Sequence, residues 1–520
     1  MLKTLRFIFW ISVFCAPDHL FSQLNLDLIG HLPYSPLNLA GCKAYVDSAG
    51  GEWALVGTSA GVSIVDLHDP SAPVERFAVP GLANDWRELR TWNGFAYVGT
   101  EADSSGITIV DLRELPDTVY WKVWRGDGAY QGKVRRCHTV QTANGYLFIF
   151  GGGNVTDGAT IADLADPWNP HITGKYTLNY VHDGFIRGDT LWTSEIYKGQ
   201  FGVVNISDIK DPQLIVTHPT PGKFNHNSGL SDDSKILFTT DEKSNAPLTS
   251  FDVSDPDNIT LLDTYFPSQK PEKEVHNVRV KGDFLINPSY GGQLTIVDAS
   301  RPDNLIETGW AVVGTSLVWD ADPYLPSGIV FATAKKEGFF VFQPVYQHAG
   351  WLEGFVTDSA SGMPLNGAQV FVTGTTNGDL SKKDGSYKTG VALAGDYMID
   401  VLKPGYLLKS IPNVHLQNGE VTLLDIQLVK ETVATTQPSA AGFQVSPTLF
   451  SSHLNVEIVP PVREKATIRL SDGSGKVVLE KPVGGTSTVL DNLQYLPTGV
   501  YFLTLENAAH SGKAIRLLKE

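Results

Sequence analysis

Short apolar runs recur down the first two-thirds of the chain. Each is closed by an acidic or amide residue and followed by a turn rich in Pro, Ser and Asp. Gly61-Val-Ser-Ile-Val-Asp66 is the clearest, leading into a turn that ends at Pro73. Gly106–Asp111, Gly158–Asp163, Gly202–Asn205, Leu248–Asp252, Leu294–Asp298 and Gly338–Phe342 repeat its pattern. The positions Asp66, Asp111, Asp163, Asn205, Asp252, Asp298 and Gln343 are 42 to 52 residues apart, the period of a four-stranded propeller blade. Runs this short, bounded by turn residues, read as strands. In the second unit Arg87–Thr91 is the inner strand, Asn93-Gly94 a hairpin turn, Phe95–Gly99 the next strand and Ile107–Val110 the third, with a fourth after Pro116. Asn144-Gly145, Gly188-Asp189 and Gly282-Asp283 mark the same turn in the third, fourth and sixth units.

Seven such units are countable, and the last lacks an outer strand, while Leu26–Leu32 stands unpaired before the first. A propeller that lets one terminus complete the other's blade removes two exposed edges, so Leu26–Leu32 is expected to close the ring. After Gln347 the period stops. Short alternating strands with Gly-rich turns from Gly350 to Lys430 predict a small β-sandwich. A Thr, Ala, Pro and Ser-rich linker and a third β unit from Phe443 to Glu520 follow. The fold class is therefore all-β: a seven-bladed β-propeller (24–347), a β-sandwich (350–430), a linker (431–442) and a C-terminal β-sandwich (443–520).

Composition changes this picture little, and charge narrows it. A net charge of −16 and the absence of any long basic stripe exclude a nucleic-acid backbone as partner. At the N-terminus Lys3 and Arg6 precede an apolar stretch from Phe7 to Ala16, which predicts an export signal peptide over residues 1–23. No later run is apolar enough for a membrane helix, so the expectation is an exported, soluble protein. Cys42 and Cys137 remain after cleavage, in units that are not neighbours, and are expected as free buried thiols.

Candidate chemistry lies on the inner strands. Counted back from the hairpin turns, His138, His182 and His276 fall in register, and His226 opens the fifth inner strand. Arg87 and Trp319 take the equivalent place in other units. Inner strands line a propeller's channel, so the four histidines are expected to converge at one mouth, with Asp183, Asn227, Asn277 and Asp320 behind them. Three roles fit. The histidines can hydrogen-bond within their own blades, as in the Gly-His of WD-type propellers. They can hold a divalent transition metal, since imidazole suits Zn, Cu, Fe or Ni. Or the mouth can bind an organic or anionic ligand through Arg87, Arg136, Asp183, Asn277, Trp319, Asp320 and the histidines. The loop carboxylates Asp241-Glu242 beside Lys243, and Glu272 with Glu274, could bind a cation or act as a base but read first as solvated charge, and the Asp66-type positions read as side chains that tie down the Pro turn.

Three resemblances cover the chain. Residues 24–347 resemble the choice-of-anchor B family, whose LVIVD-type repeats match Ile64–Asp66, Ile109–Asp111 and Ile296–Asp298; Asp85–Glu88, Val181–Asp183, His276-Asn277 and Val318–Gly328 extend the likeness. Residues 350–430 resemble carboxypeptidase regulatory-like domains through Gly354–Asp358, Pro364–Val370, Asp384–Tyr387 and Pro404–Tyr406, which implies a transthyretin-like sandwich. Residues 443–520 resemble the type IX secretion system C-terminal sorting domain through Val445–Pro447, Gly475–Val477, Leu496–Phe502 and Lys519, with Thr448 where that family usually has Asn. The last resemblance implies a Bacteroidetes-type protein handled by the type IX machinery and released or attached at the cell surface. The leading expectation is a binding or interaction module for an extracellular ligand rather than an enzyme. A metal-dependent hydrolase or lyase and a structural surface or adhesion component are the alternatives.

Overall fold

The computed structural model describes residues 23–153, 155–269, 274–431, 442–473, 475–507, 510–511 and 514–519. The expected signal peptide, apart from Gln23, lies outside the described residues, as do Glu272 and residues 432–441 of the expected linker.

Seven four-stranded antiparallel meanders follow one another from Leu26 to Pro344 among the described residues. In blade two the strands are Arg87–Trp92, Phe95–Thr100, Ile107–Asp111 and Tyr120–Trp124. The hairpin between the first two turns at Asn93 and Asn144 in blades two and three, where the Asn and the Gly after it both have positive φ. That conformation matches the right-handed twist of the flanking strands and costs least for Asn-Gly. The second and third strands of each blade are buried almost throughout, as in Phe95–Thr100 and Ile107–Asp111, because neighbouring blades cover both faces. This is why their sequences run apolar rather than alternating.

Leu26–Leu32 pairs antiparallel with Gly338–Pro344 and supplies the outer strand of blade seven. Just before it, Gln23–Leu24 pairs with Trp310 and Ala311 on the edge of blade six. The conserved-looking acidic position at the end of each third strand is structural. Asp66, Asp111, Asp163, Asn205, Asp252 and Asp298 each accept the backbone N–H two residues on, at 2.6–3.1 Å. That bond fixes the turn that follows.

Two further sheets follow in the same compact unit, which extends to Lys430. One sheet holds Gly350–Asp358 between Ser386–Val391 and Val421–Leu423; the other runs Gly378–Leu380, Gln369–Val372, Gly395–Leu402, Lys409–Leu416. Leu352, Val356, Val370, Ile399 and Val401 form the core between them. Trp351 packs with Ile306 and Ala349 and donates from Nε1 to Asn304 O at 3.3 Å, and Arg301 pairs with Glu353 at 2.6 Å, so sandwich and propeller share a packed seam. The second unit, from Glu431 on, is built on the long strands Leu454–Asp472 and Val477–Leu490 with Gly499–Asn507 and Ile515–Lys519, around a core that includes Ile468, Leu470, Leu503 and Leu517.

Candidate metal centre

Four histidines stand at the openings of the inner strands of blades three to six. His138 and His182 precede Thr139–Ala143 and Asp183–Arg187, and their backbone N–H groups bond Phe150 O and Ser194 O, each at 2.9 Å. His226 is the extra residue of a bulge between Asn225 and Asn227. His276 donates its N–H to Pro288 O at 3.0 Å. The rings form an arc, with centroids 3.8 Å apart for His138–His182, 4.6 Å for His182–His226 and 4.2 Å for His226–His276. Trp319, also a bulge residue, continues it 5.0 Å from His276.

His226 and His276 share an orientation. His226 Nδ1 lies 2.8 Å from His276 O, and His276 Nδ1 lies 2.6 Å from Trp319 O. A carbonyl can only accept, so in both rings Nδ1 carries the proton and Nε2 keeps its lone pair. His138 Nδ1 meets the Glu101 carboxylate at 2.6 Å. The His226 backbone acts on the His182 ring, but the buried His182 Nδ1 makes no hydrogen bond among the described residues. The His226 and His276 bonds cross to the following blade and the His138 bond to the preceding one, so none of the three is blade-internal. On the other side, His226 Nε2 and His276 Nε2 each stand 3.8 Å from an oxygen of Glu242. One ligand atom from each of His138, His182 and His226 lies within 4.8 Å of the others, and the same holds for His226, Glu242 and His276.

Burial favours the neutral imidazole in His182, His226 and His276. Desolvation, reinforced by the neighbouring rings, holds His182 well below 6.5; desolvation and then His276 hold His226 at about 4; desolvation lowers His276 despite the nearby Glu242. Burial works to raise the Glu242 carboxyl, while His226, His276 and the Tyr290 hydroxyl, bonded at 2.6 Å, bring it below the ordinary carboxylate value. Because both imidazoles are neutral at pH 7, the Tyr290 bond is the part of that balance that persists there.

The other expected site residues separate into two groups. Asp183, Asn277, Trp319 and Asp320 lie beside the histidines, but their side chains bond polar groups across blades and not the imidazoles; only the Trp319 carbonyl takes a ring N–H, that of His276. Asn227 Nδ2 donates to Asp183 at 2.6 Å, Asn277 Nδ2 to Asp320 at 3.2 Å, and Asp320 also takes Arg279 at 2.5 Å and Cys42 N at 3.3 Å. Trp319 Nε1 donates to Glu88 at 2.8 Å. They form a girdle beneath the histidines; the groups behind the rings are carbonyls and Glu101. Arg87 departs from expectation altogether. It is 2% exposed, and its guanidinium donates to Thr58 O and Leu82 O, clamping blade one to blade two. Glu88, one residue on, faces the girdle instead. Arg136 is exposed, close enough for its charge to act on Glu101 and Tyr180.

Glu101 and Tyr290 have no counterpart among the expected residues, whereas Glu242 is read foremost as solvated charge and otherwise as a cation ligand or base. Glu101, Glu242 and Tyr290 each follow the second strand of their blade immediately, after Thr100, Asp241 and Ser289. That shared register was readable, and it contradicts the reading of Glu242 as solvated loop charge. Asp241 is not solvated either; it is buried and accepts from Thr220, Gly222 and Phe224. Cys42 and Cys137 are free and buried, as expected. At the opposite end of the channel a cavity of about 500 Å³ includes Lys43, Arg90, Arg187 and Arg279. Lys43 pairs with Asp322 at 2.8 Å and Arg279 with Asp320, so much of its charge is already matched.

Comparison with known proteins agrees with this architecture. Residues 48–80 and 273–311 match the LVIVD repeat model, residues 352–429 the carboxypeptidase regulatory-like domain and residues 446–517 the secretion system C-terminal sorting domain. Among solved structures, the chain is similar to the WD40 beta propeller domain of Doa1, with 9% identity over 62% of this chain and 97% of that one and a TM-score of 0.46. None of the curated proteins compared matches it. A chain carrying this sorting domain is exported, to the cell surface or beyond. Among the described residues no helix is long and apolar enough to cross a membrane.

Proposed function

We propose that this exported propeller binds one divalent transition-metal ion at the histidine mouth of its channel, and through that ion holds an extracellular ligand. The observation that carries the reading is the orientation of His226 and His276, each with Nδ1 donating to a carbonyl and Nε2 3.8 Å from the Glu242 carboxylate. Metal-bound histidines are held in this way, by a carbonyl or carboxylate on the far nitrogen. Neutral imidazoles need lose no proton to bind at pH 7. Nitrogen donors with one carboxylate suit Zn, Cu, Fe or Ni rather than Mg or Ca. Metal–nitrogen bonds of about 2.1 Å bring tetrahedral ligand atoms to roughly 3.4 Å from one another, so ligand atoms now within 4.8 Å close on an ion by small side-chain rotations. The two ligand groups share His226, and its Nδ1 is already donating to His276 O. His226 therefore serves only one ion, which sets the expected stoichiometry at one per chain.

A second reading, metal-dependent hydrolase or lyase chemistry, is favoured by the Tyr290–Glu242 pair, which sets a proton donor beside the ion position.

The test is elemental analysis of untagged full-length protein after metal loading and dialysis. The expected result is close to one transition-metal ion per chain, falling at least tenfold in His182→Ala/His276→Ala and in the less buried His138→Ala with the fold retained by circular dichroism. Folded protein without stoichiometric metal would overturn the reading.

A further inference from the structure

The mouth is flanked by exposed aromatic rings, unusual beside so polar a centre. Trp86, 41% exposed, stands edge-on to Trp319 with centroids 6.5 Å apart, and Trp319 in turn is edge-on to His276 at 5.0 Å. Lys335 Nζ lies 5.3 Å from the Trp86 ring centroid and 5.4 Å from that of Trp319. Across the arc, Tyr197 is 74% exposed on the short turn Ile196–Lys198, its ring 4.7 Å from Tyr180, whose own ring lies 6.5 Å from His182. Both exposed rings are one aromatic neighbour removed from the histidines, on opposite sides.

Large aromatics exposed on either side of a polar centre match a ligand that has a flat, partly apolar ring face. The centre itself selects for charge. A divalent ion held by neutral imidazoles and the single carboxylate of Glu242 keeps a net positive charge at its open position, where an oxygen anion binds best. Resting on the metal reading above, we propose that the site takes a ring compound bearing a carboxylate, with the carboxylate on the ion and the ring against Trp86 or Tyr197. Uronate sugars and aromatic carboxylates share this chemistry. Acetate has the anion without the ring, and a neutral oligosaccharide has the ring without the anion.

Calorimetric titration of metal-loaded full-length protein separates these terms, using trigalacturonate, benzoate, acetate and maltotriose as probes, with metal content measured in the same samples. The expected result is saturable binding of trigalacturonate or benzoate at least tenfold tighter than acetate or maltotriose, lost after chelation. Whichever of the two binds identifies the ring as sugar or aromatic. Trp86→Ala and Tyr197→Ala are exposed positions, so the fold should persist; at least one should weaken binding roughly three- to tenfold with metal content unchanged. Acetate or maltotriose binding as tightly as the ring carboxylates, or no binding by metal-replete protein, overturns this inference and leaves the metal reading standing. Protein without metal overturns the metal reading first.

Discussion

At the scale of single residues, the site depends on which nitrogen of each imidazole is occupied. The His276 and Trp319 carbonyls and the Glu101 carboxylate fix Nδ1 of His226, His276 and His138, leaving Nε2 as the atom that would coordinate the proposed ion. On the facing side Tyr290 does the same for Glu242, holding one oxygen at 2.6 Å. Tyr290→Phe removes that bond and little else, because its ring still stacks on His276 with centroids 4.8 Å apart. The expected outcome is a 10- to 100-fold loss of metal affinity, the usual effect of removing a supporting hydrogen bond, with melting of the metal-free protein nearly unchanged. Competition against a chromophoric chelator measures it. The histidines were legible in the sequence because they recur at a fixed distance from their hairpins. Glu242 was not, because its neighbours Asp241 and Lys243 look like loop charge until the blade places the residue after each second strand at the mouth. Arg87 shared the histidine register and misled for a physical reason: a long guanidinium buried at that position must satisfy its donors, and the nearest acceptors are the carbonyls of blade one.

At the scale of elements, the ring depends on backbones packing more closely than a side chain allows. Gly30 on the closing strand and Gly174 on the outer strand of blade three face the Pro turns of the following blades. A Cβ on Gly30 would lie 2.1 Å from Pro70 O, and one on Gly174 1.8 Å from Ile209 O. Both obstacles are backbone, which cannot rotate aside. Gly30→Ala is therefore expected to destabilise the unit by about 1–3 kcal/mol, read as a lower denaturant midpoint at unchanged slope. An unchanged midpoint would mean that Leu26–Leu32 does not hold the ring closed. The closure was legible because an unpaired strand at one end matched a missing strand at the other. The extra pairing of Gln23–Leu24 on blade six was not, since two residues carry no periodicity.

At the scale of the whole molecule, the proposed binding and the export lie in different parts of the chain. The propeller and the sandwich after it form one compact unit ending at Lys430, joined by Trp351 and by the Arg301–Glu353 and Lys388–Asp303 pairs. The sorting domain has a separate core of its own, centred on Ile468, Leu470 and Leu503. Among the described residues none of the proposed site comes from it, so truncation after Lys430 is expected to remove the address and leave the proposed metal centre intact. The truncated chain, expressed without the N-terminal export segment, is expected to unfold in one cooperative calorimetric transition, because a seam this well paired makes sandwich and propeller depend on each other, and to retain the full-length protein's metal content. In the native host the same truncation, with the N-terminus intact, should abolish appearance at the cell surface and in the medium, as fractionation and immunoblotting would reveal. Loss of metal from the truncated protein would show that the second unit contributes to the site. Continued export would show that the match over residues 446–517 does not act as the address in this chain.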